Sequence, residues 1–211
     1  MNKNHLQIEN IKRILIICEG SEEYDYIEKL RQINTSWSKK IKLVLKNAKG
    51  IDRIFPIYQY ELQDNNYYLI FIVCDTEIPP YEQFKKLKSN IDKKIYGFNA
   101  SKHVVFFANP CSMQIILSHF DEVKLTTNNK NKNSKLIKDL TGVEEYDGSD
   151  KKRTPIFNKL TILNYKYMKE TIKKISSLEE DVPSSNILDL FDGLDYDTDN
   201  WLKTIHKKLD K

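Results

Sequence analysis

Three short runs of mostly apolar residues constrain the fold of this chain more than any other feature of its sequence. They are RILIIC at 13–18, YYLIFIVC at 67–74 and HVVFFA at 103–108. Because these runs are short, continuous and rich in β-branched or aromatic residues, they predict strands that are buried on both faces of a sheet. A fourth segment, IKLVLKN at 41–47, alternates polar and apolar residues, which predicts a strand near the edge of that sheet.

Segments with helical periodicity separate these predicted strands. Residues 22–33, 51–63 and about 81–91 place apolar side chains on one face at helical spacing. The segment NPCSMQIILSHF predicts a further helix, which Asn109 and Pro110 would open. Strands that alternate with helices require crossover connections, so we expect an α/β fold with a mainly parallel sheet flanked by helices.

The pattern changes after residue 122. Residues 126–135 are polar and low in complexity, which predicts a mobile loop, and residues 142–155 predict a second loop. An amphipathic helix is predicted over 157–177, followed by an acidic loop and a short final helix at 200–209.

This change divides the chain into two predicted parts. We expect an α/β core over residues 1–122 and a helical C-terminal appendage over residues 123–211. A length of 211 residues favours one domain with a sizeable core, so the appendage is predicted to pack on that core.

The composition excludes several classes of protein. No apolar stretch approaches the roughly 18 residues of a membrane span, and no signal peptide is visible, so a cytoplasmic protein without membrane contact is expected. The three widely spaced cysteines argue against a disulfide framework or a zinc site and predict buried, reduced thiols. The net charge of +4 comes almost entirely from lysine and is weak support for nucleic-acid binding. The sequence leaves homo-oligomer formation open.

Acidic residues follow two of the predicted buried strands. Glu19 follows the first, Asp75 and Glu77 follow the strand at 67–74, and Glu23 lies one helical turn after Glu19. Because ligands of open parallel sheets bind at the carboxyl ends of the strands, these four carboxylates are expected to converge. Clustered like charges need a cation or a shared proton, and oxygen-only ligands suit Mg²⁺ or Mn²⁺. The alternative is that the acids only complement helix dipoles on a solvated surface.

Two further features bear on phosphate binding. Gly20 would let the backbone approach a phosphate closely at the start of the first helix. The lysine-rich segment at 126–138 and the run Lys151, Lys152 and Arg153, with Tyr146 nearby, are candidate nucleic-acid contacts. Solvated, flexible loops are the alternative for both basic segments.

The segments CEGSEE, VCDTE and FFANPCSMQIILSHF together resemble the Toprim domain of topoisomerases, primases and OLD-type nucleases. They resemble in particular the RloB-like branch, which occurs in prokaryotic defence loci. That branch pairs an EG motif with a D-x-D motif and then has a strand that runs into an NPC helix ending in a histidine. The resemblance covers roughly residues 12–122 by motif.

This resemblance implies roles for individual residues. It makes Glu19 the general acid/base or a metal ligand, and it makes Glu23, Asp75 and Glu77 ligands of the divalent cation. It also implies that Asn109 caps the helix beside the site. His119 matches the histidine that ends the NPC helix of the family.

The sequence departs from the family pattern at two places. Glu77 stands where the family prefers aspartate. Ser112 and Met113 stand where the family has an aromatic residue followed by an acid, and Gln114 cannot replace that acid electrostatically. If the missing acid supports a second metal ion, this chain holds one ion or has a weakened site.

The resemblance implies a Mg²⁺- or Mn²⁺-dependent nuclease that hydrolyses phosphodiester bonds in DNA or RNA. Glu19, Asp75 and Glu77 would carry the catalysis, and the chain would be the effector of an antiphage system that acts with an ABC-type ATPase. One alternative is a catalytically weakened Toprim-like module that mainly binds the ATPase. Another is a different phosphotransfer enzyme, such as a phosphatase that uses Asp75, although the supporting lysine or threonine motif is absent from the sequence.

Overall fold

A computed structural model describes residues 11–77 and 79–210 of the chain. The strands are β1 (Lys12–Cys18), β2 (Ile41–Asn47), β3 (Leu69–Asp75), β4 (Val105–Asn109) and β5 (Ser184–Ser185). The helices are α1 (Ser21–Ile33), α2 (Thr35–Lys40), α3 (Ile51–Asp64), α4 (Glu82–Asn90), α5 (Ser101–Val104), α6 (Met113–Leu117), α7 (Lys130–Thr141), α8 (Asp150–Phe157), α9 (Ile162–Ile172), α10 (Ile187–Asp195) and α11 (Thr198–Leu209). Helix α4 continues into π-helical turns over Ile91–Tyr96.

The strands form one sheet in the order β2-β1-β3-β4-β5. Strands β1 to β4 run parallel to their neighbours, and β5 pairs antiparallel with β4. The predicted α/β fold with a mainly parallel sheet flanked by helices is therefore confirmed. The prediction that 41–47 forms a strand near the sheet edge is also confirmed, since β2 is the outermost strand.

The two central strands are buried, as their sequences predict. All residues of β1 from Ile14 to Cys18 are fully inaccessible to solvent, and β3 is buried up to Cys74. Each large apolar side chain removed from water in this way contributes roughly 1.5–3 kcal/mol to the free energy of unfolding. The three cysteines are buried and free, as expected.

The order of the strands creates a crevice at the carboxyl ends of β1 and β3. The chain leaves β1 through α1 and α2 to reach β2 on one side, and it returns through α3 to β3 on the other side of β1. Connections that diverge from a central strand leave a gap between the loops above it, which is where ligands of such sheets bind. The acidic residues at the ends of β1 and β3, Glu19 and Asp75, lie at this gap.

Two predicted loops are wrong. Helix α7 begins inside the segment predicted as a mobile loop at 126–135, because the Asn129 side chain accepts a hydrogen bond from the Lys132 N–H at 3.1 Å and caps the first turn. Helix α8 occupies the second half of the predicted loop at 142–155 and begins after Ser149. Pro155 lies within α8, near the end of this short helix.

The helix predicted over 157–177 is confirmed as α9, over the shorter range Ile162–Ile172. Helix α8 ends at Phe157, and α9 begins after Thr161. Thr161 and Asn164 form a reciprocal capping box, in which the Asn164 N–H donates to Thr161 Oγ1 and the Thr161 N–H donates to Asn164 Oδ1. The predicted acidic loop contains α10, whereas the final helix is confirmed as α11.

The C-terminal segment completes the edge of the sheet. The Asn186 side chain accepts from the Phe107 N–H at 2.7 Å and donates to the Val105 carbonyl at 2.9 Å, while β5 pairs with the end of β4. Gly193 in α10 lets the Trp201 ring of α11 approach, since a Cβ at this position would overlap that ring. The division of the chain at residue 122 stays a prediction. Within the described residues, no helix combines the length and the apolar composition that a membrane crossing requires.

Candidate active site

Glu19 and Asp75 lie side by side at the carboxyl ends of β1 and β3. The register pairs Cys18 with Val73, and the Glu19 N–H continues the ladder by donating to the Val73 carbonyl at 2.9 Å. The Asp75 N–H in turn donates to Glu19 Oε2 at 2.9 Å. The two acids that the sequence places 56 positions apart are therefore direct neighbours, as predicted from the strand ends.

The turn after β4 holds Asp75 and joins it to α1. The Ser112 N–H donates to Asp75 Oδ1 at 2.7 Å, and Ser112 Oγ donates to Glu22 Oε1 at 2.8 Å. Because Ser112 is itself buried, these bonds fix the acid at the end of β3 relative to the first turn of α1. Ser112 was predicted as a supporting residue, and its backbone and side chain both contact acids here.

The start of α1 turns Glu23 back toward the strand ends. The Gly20 N–H donates to Glu23 Oε2 at 2.9 Å, and the Glu23 side chain is almost completely buried. Gly20 has an extended backbone that any residue can adopt, so glycine matters here because it lacks a side chain. A Cβ at this position would lie 3.2 Å from Glu23 Oε2. Any larger residue at position 20 would press on the carboxylate of Glu23.

Glu77 occupies the loop that follows Asp75. Its backbone adopts a left-handed φ of 64°, and its carboxylate lies near enough to Glu19 to raise the pKa of that residue. Glu77 is not among the residues that line the cleft described below. Its predicted roles as a catalytic residue and a metal ligand stay predictions.

Burial and mutual repulsion raise the pKa values of the clustered acids. Burial raises the pKa of Glu19 to about 8, with further contributions from the negative charges of Glu23 and Glu77, against a lowering by the Asp75 N–H bond. The pKa of Asp75 rises well above its ordinary value, first through burial and then through Glu23 and Glu19. Burial and the charge of Glu22 likewise raise the pKa of Glu23. The cluster therefore holds protons near neutral pH unless a cation compensates its charge.

Glu22, Glu23 and Asp75 form one wall of a cleft whose other wall carries cations, whereas Glu19 is not among the residues that line it. The cleft has a volume of about 390 Å³, and its lining residues are Gly20, Ser21, Glu22, Glu23, Asp75, Cys111, Met113, Asn128, Lys130, Asn133, Ile137, Gly148 and Arg153. Lys130 Nζ lies 4.0 Å from Glu22 Oε2, and Arg153 Nη2 lies 2.7 Å from Asp25 Oδ2. A cleft with facing acidic and basic walls can hold a cation and an anion together.

Glu22 is a site residue that sequence reasoning missed. It accepts hydrogen bonds from Ser112 Oγ and from the Tyr146 hydroxyl, and it faces Lys130. The motif CEGSEE contains two candidate acids after the glycine, and only the position one turn after Glu19 was chosen. Its partners come from distant segments, so the sequence held no signal for their approach.

Two predicted supporting residues lie elsewhere. The prediction that Asn109 caps the helix after β4 is wrong: it is the last residue of β4, and Ser112 precedes α6. The Asn109 amide donates instead to the carbonyls of Glu179 and Asp181, both at 2.9 Å, so it anchors a C-terminal loop. The amide could do so because Asn109 continues the strand for one residue more than predicted.

His119 is a packed core residue in this structure. Its Nε2 lies 2.8 Å from the Tyr26 hydroxyl, its Nδ1 lies 3.3 Å from Asn164 Oδ1, and only 2% of the residue is exposed. Burial lowers the pKa of His119 to about 4, so the ring is neutral at physiological pH. It does not line the cleft, and a supporting role there stays a prediction.

The three basic residues predicted to contact nucleic acid differ in their surroundings. Lys151 is exposed, and Lys152 Nζ donates to the Glu144 carbonyl at 2.6 Å. Arg153 is buried against α1, where both its Nε and Nη2 donate to Asp25 Oδ2. Arg153 is thus positioned at the cleft but has an acidic partner, and its contact with nucleic acid stays a prediction.

The chemistry of the donors fits a hard divalent cation. The cluster consists of carboxylates whose pKa values are raised first by burial and then by neighbouring negative charge, and such oxygen donors are what Mg²⁺ and Mn²⁺ select. Across residues 11–77 and 79–210, however, no three His, Cys, Asp or Glu side chains form a group that could hold a metal ion as they stand. The donor types fit the cation, whereas their present positions do not yet surround one.

Comparisons with known proteins agree with the motifs. A model of the RloB-like protein family matches residues 14–194, so the chain belongs to the RloB-like family. Among solved structures it is similar to the C-terminal region of the Burkholderia pseudomallei OLD protein, with 12% sequence identity and a TM-score of 0.41, over 94% of this chain and 98% of that one. A search of curated proteins finds no match.

The raised pKa values lead to a prediction about stability and pH. An acid whose pKa is higher in the folded state stabilises the fold while it is protonated, and this contribution is lost as the pH rises through about 8 for Glu19. His119 has the opposite effect, but only below its ordinary pKa of 6.5. We therefore expect the free energy of unfolding, measured by urea titration in EDTA, to fall by about 1–2 kcal/mol between pH 6.5 and 8.

The variant Glu19→Gln should remove much of this slope, because glutamine keeps the acceptor for the Asp75 N–H and cannot ionise. Glu170→Gln is the matched control, since Glu170 is an exposed acid paired with Lys173. An identical slope in wild type and in Glu19→Gln would show that the carboxyl of Glu19 titrates normally.

Proposed function

We propose that this chain is a Mg²⁺- or Mn²⁺-dependent nuclease that hydrolyses phosphodiester bonds. The observation that carries the proposal is the convergence of Glu19, Glu23 and Asp75 at the carboxyl ends of two adjacent parallel strands, with raised pKa values for all three. Perturbed pKa values mark candidate functional sites. Clustered acids repel one another and reduce stability, so such a cluster is not expected where the acids have a purely structural role. Membership of the RloB-like family supports the same reading.

Glu19, Glu23, Asp75 and Glu77 are the residues that would hold the cation. When bound, a divalent ion supplies charge neutralisation for a phosphate and lowers the pKa of water. In the absence of a cation, burial raises the pKa of Glu19 to about 8, so this residue holds a proton that a bound cation would displace. Since Glu19 Oε2 accepts the Asp75 N–H, the transferable proton resides on Oε1. That oxygen can protonate a leaving group or, once ionised, accept a proton from the attacking water.

We further propose that the chain is the effector of a prokaryotic antiphage system and acts with an ABC-type ATPase. Its RloB-like motifs support this assignment, since the branch that they resemble occurs in defence loci. The sequence has no Walker A motif, so the energy of nucleotide hydrolysis would come from the partner. The proposal includes both DNA and RNA as substrates.

A second candidate function is a catalytically weakened module that mainly binds the ATPase. The observation that favours it is the lack, within the described residues, of any ready group of three metal-binding side chains. Ser112 and Met113, where the resemblance implies an aromatic residue and an acid, point the same way. Under this alternative the acids would remain protonated, with no cation bound.

Calorimetric titration with Mn²⁺ separates the two candidates. We expect the wild-type chain to bind Mn²⁺ and to release protons at pH 7, because Glu19 must ionise before it can bind a cation. The number of protons follows from titrations in two buffers with different enthalpies of ionisation. Asp75→Asn should abolish binding, whereas Asp64→Asn should leave it intact because Asp64 is an exposed acid at the end of α3.

Binding of Mn²⁺ with equal affinity by wild type and Asp75→Asn would place the cation elsewhere and would remove the basis of the proposed mechanism. No binding by the wild type, together with capture of an ABC-type ATPase, would favour the weakened module. The Asp75→Asn chain must unfold at the wild-type temperature or above for either conclusion to hold.

A further inference from the structure

Residues 128–153, which we term the cap segment, close over the acidic wall of the cleft. The segment includes α7 and the start of α8, and three of its side chains bond to the first two turns of α1. The Tyr146 hydroxyl donates to Glu22 Oε2, Lys130 Nζ lies 4.0 Å from the same oxygen, and Arg153 Nη2 donates to Asp25 Oδ2 at 2.7 Å. The cap segment is therefore attached to α1, the helix that carries Glu23, one of the proposed ligands of the cation.

The side chains that attach the cap segment to α1 through hydrogen bonds are largely buried. Tyr146 and Arg153 are 2% and 5% exposed. The side chain of Glu22, which receives the Tyr146 hydroxyl, is 13% exposed. Gly148 has a left-handed φ of 82°, and a Cβ there would collide with the Lys130 ammonium. The left-handed backbone is what favours glycine at this position, since the end of the lysine side chain could move aside.

The cap segment leaves the acids recessed. Glu23 is 5% exposed, and the cleft that reaches it and Asp75 has a volume of about 390 Å³. This lies at the lower end of the roughly 300–1,000 Å³ of pockets that enclose drug-sized ligands. Such a space admits one phosphate with its nearest sugar or base, and the two paired strands of a duplex are too bulky to enter it.

We infer that the site acts on single-stranded nucleic acid, an inference that rests on the proposed nuclease function. A duplex is stiff and keeps its bases stacked, so a recessed site can reach its backbone only after local unpairing. A single strand bends freely and can pass a phosphate beneath the cap segment without that cost. The recessed acids and the narrow cleft therefore favour substrates whose sugar-phosphate backbone is flexible.

The outer surface of the cap segment offers a path for such a strand. Exposed lysines occur along α7 and at the start of α8, namely Lys130, Lys132, Lys135, Lys138 and Lys151, and Lys138 pairs with Glu144 at 2.6 Å. A positively charged track beside a cleft is the general means by which proteins hold a single strand without reading its sequence. Of these lysines, Lys130 lines the cleft.

Cleavage assays with matched substrates test the inference. A labelled DNA strand, the same strand annealed to its complement, and the two RNA counterparts are each incubated with the chain and Mn²⁺. We expect the single strands to be cleaved about 10-fold faster or more than the duplexes, because unpairing costs a few kcal/mol and each 1.4 kcal/mol is tenfold in rate. A preference for the DNA or the RNA strand leaves the inference intact.

The variant Tyr146→Phe tests whether the cap segment causes the preference. Phenylalanine keeps the buried ring but removes the hydrogen bond to Glu22, so the cap segment should open more readily. We expect the ratio of single-strand to duplex cleavage to fall by about 3-fold or more, which corresponds to the loss of one hydrogen bond. Tyr167→Phe is the control, since Tyr167 lies half-exposed on α9 and does not line the cleft.

Each outcome bears on a different statement. Equal cleavage of single strands and duplexes by the wild type would overturn the inference while leaving the proposed function in place. A preference that Tyr146→Phe leaves unchanged would overturn the role of the cap segment. Failure to cleave any of the four substrates with Mn²⁺ would overturn the proposed function, and the inference with it.

Discussion

Asp75→Asn is expected to lower Mn²⁺-dependent cleavage of a single-stranded substrate by about 100-fold or more. Asparagine has the same shape and still accepts the Ser112 N–H through Oδ1, so the geometry around the end of β3 should persist. What it removes is one negative charge from a cluster that includes Glu19 and Glu23. The loss should therefore appear as abolished cation binding and lower cleavage, with the fold retained.

The same substitution should leave the fold at least as stable as that of the wild type. Burial and three neighbouring carboxylates raise the pKa of Asp75, so the ionised form costs folding free energy that asparagine avoids. In EDTA at pH 8 the unfolding temperature of Asp75→Asn should equal or exceed that of the wild type. Greater stability together with lost activity is typical of a residue that serves function and reduces stability.

Asp64→Asn serves as the control for both measurements. Asp64 is exposed at the end of α3, so its substitution should change neither cleavage nor stability measurably. Wild-type cleavage rates in Asp75→Asn would contradict the proposed role of the acid. A large drop in unfolding temperature would contradict the claim that the loss of activity is electrostatic.

The sheet and the position of the acids were predictable from the sequence for physical reasons. A strand buried on both faces must be apolar throughout, so β1 and β3 stand out as continuous runs, and a parallel sheet gathers their carboxyl ends at one edge. Once Glu19 and Asp75 follow two such strands, their proximity depends only on the two strands being neighbours. The register confirms that they are.

The residues after 122 were harder to predict because their helices depend on tertiary contacts. The segment that forms α7 is mostly lysine and asparagine, and its apolar positions, such as Ile137, gain stability only when the cap segment packs. The split between α8 and α9 rests on the capping box of Thr161 and Asn164, a local signal that was present in the sequence and overlooked. Asn109 was misassigned because an asparagine before a proline suggests a cap, whereas the strand continues through it.

Asp195→Ala is expected to reduce the free energy of unfolding by about 3–5 kcal/mol. The carboxylate of Asp195 accepts hydrogen bonds from Trp37 Nε1 at 2.7 Å, from the Tyr165 hydroxyl at 2.9 Å and from Lys169 Nζ at 2.6 Å. Trp37 is fully buried and Lys169 is 6% exposed. Removal of the acid leaves the Trp37 and Tyr165 donors without this acceptor, which accounts for most of the expected loss because Lys169 keeps its ion pair with Asp192 at 2.6 Å.

Heat or urea unfolding measures this effect, and Asp199→Ala provides the matched control. Asp199 also pairs with lysines, Lys12 and Lys203, but its side chain is 59% exposed. Exposed ion pairs contribute no more than about 1 kcal/mol, so Asp199→Ala should unfold close to the wild type. Equal destabilisation by the two substitutions would show that burial does not set the strength of the Asp195 cluster.

The shape of the unfolding transition bears on the division of the chain at residue 122. Asp195 joins α10 and α9 to Trp37 in α2, which lies between β1 and β2 in the sequence. If the C-terminal helices and the sheet form one cooperative unit, Asp195→Ala should lower a single transition without splitting it. Two separate transitions would instead support an appendage that unfolds independently. In the first case, the helices that follow the cap segment stabilise the same unit that places Glu19 beside Asp75.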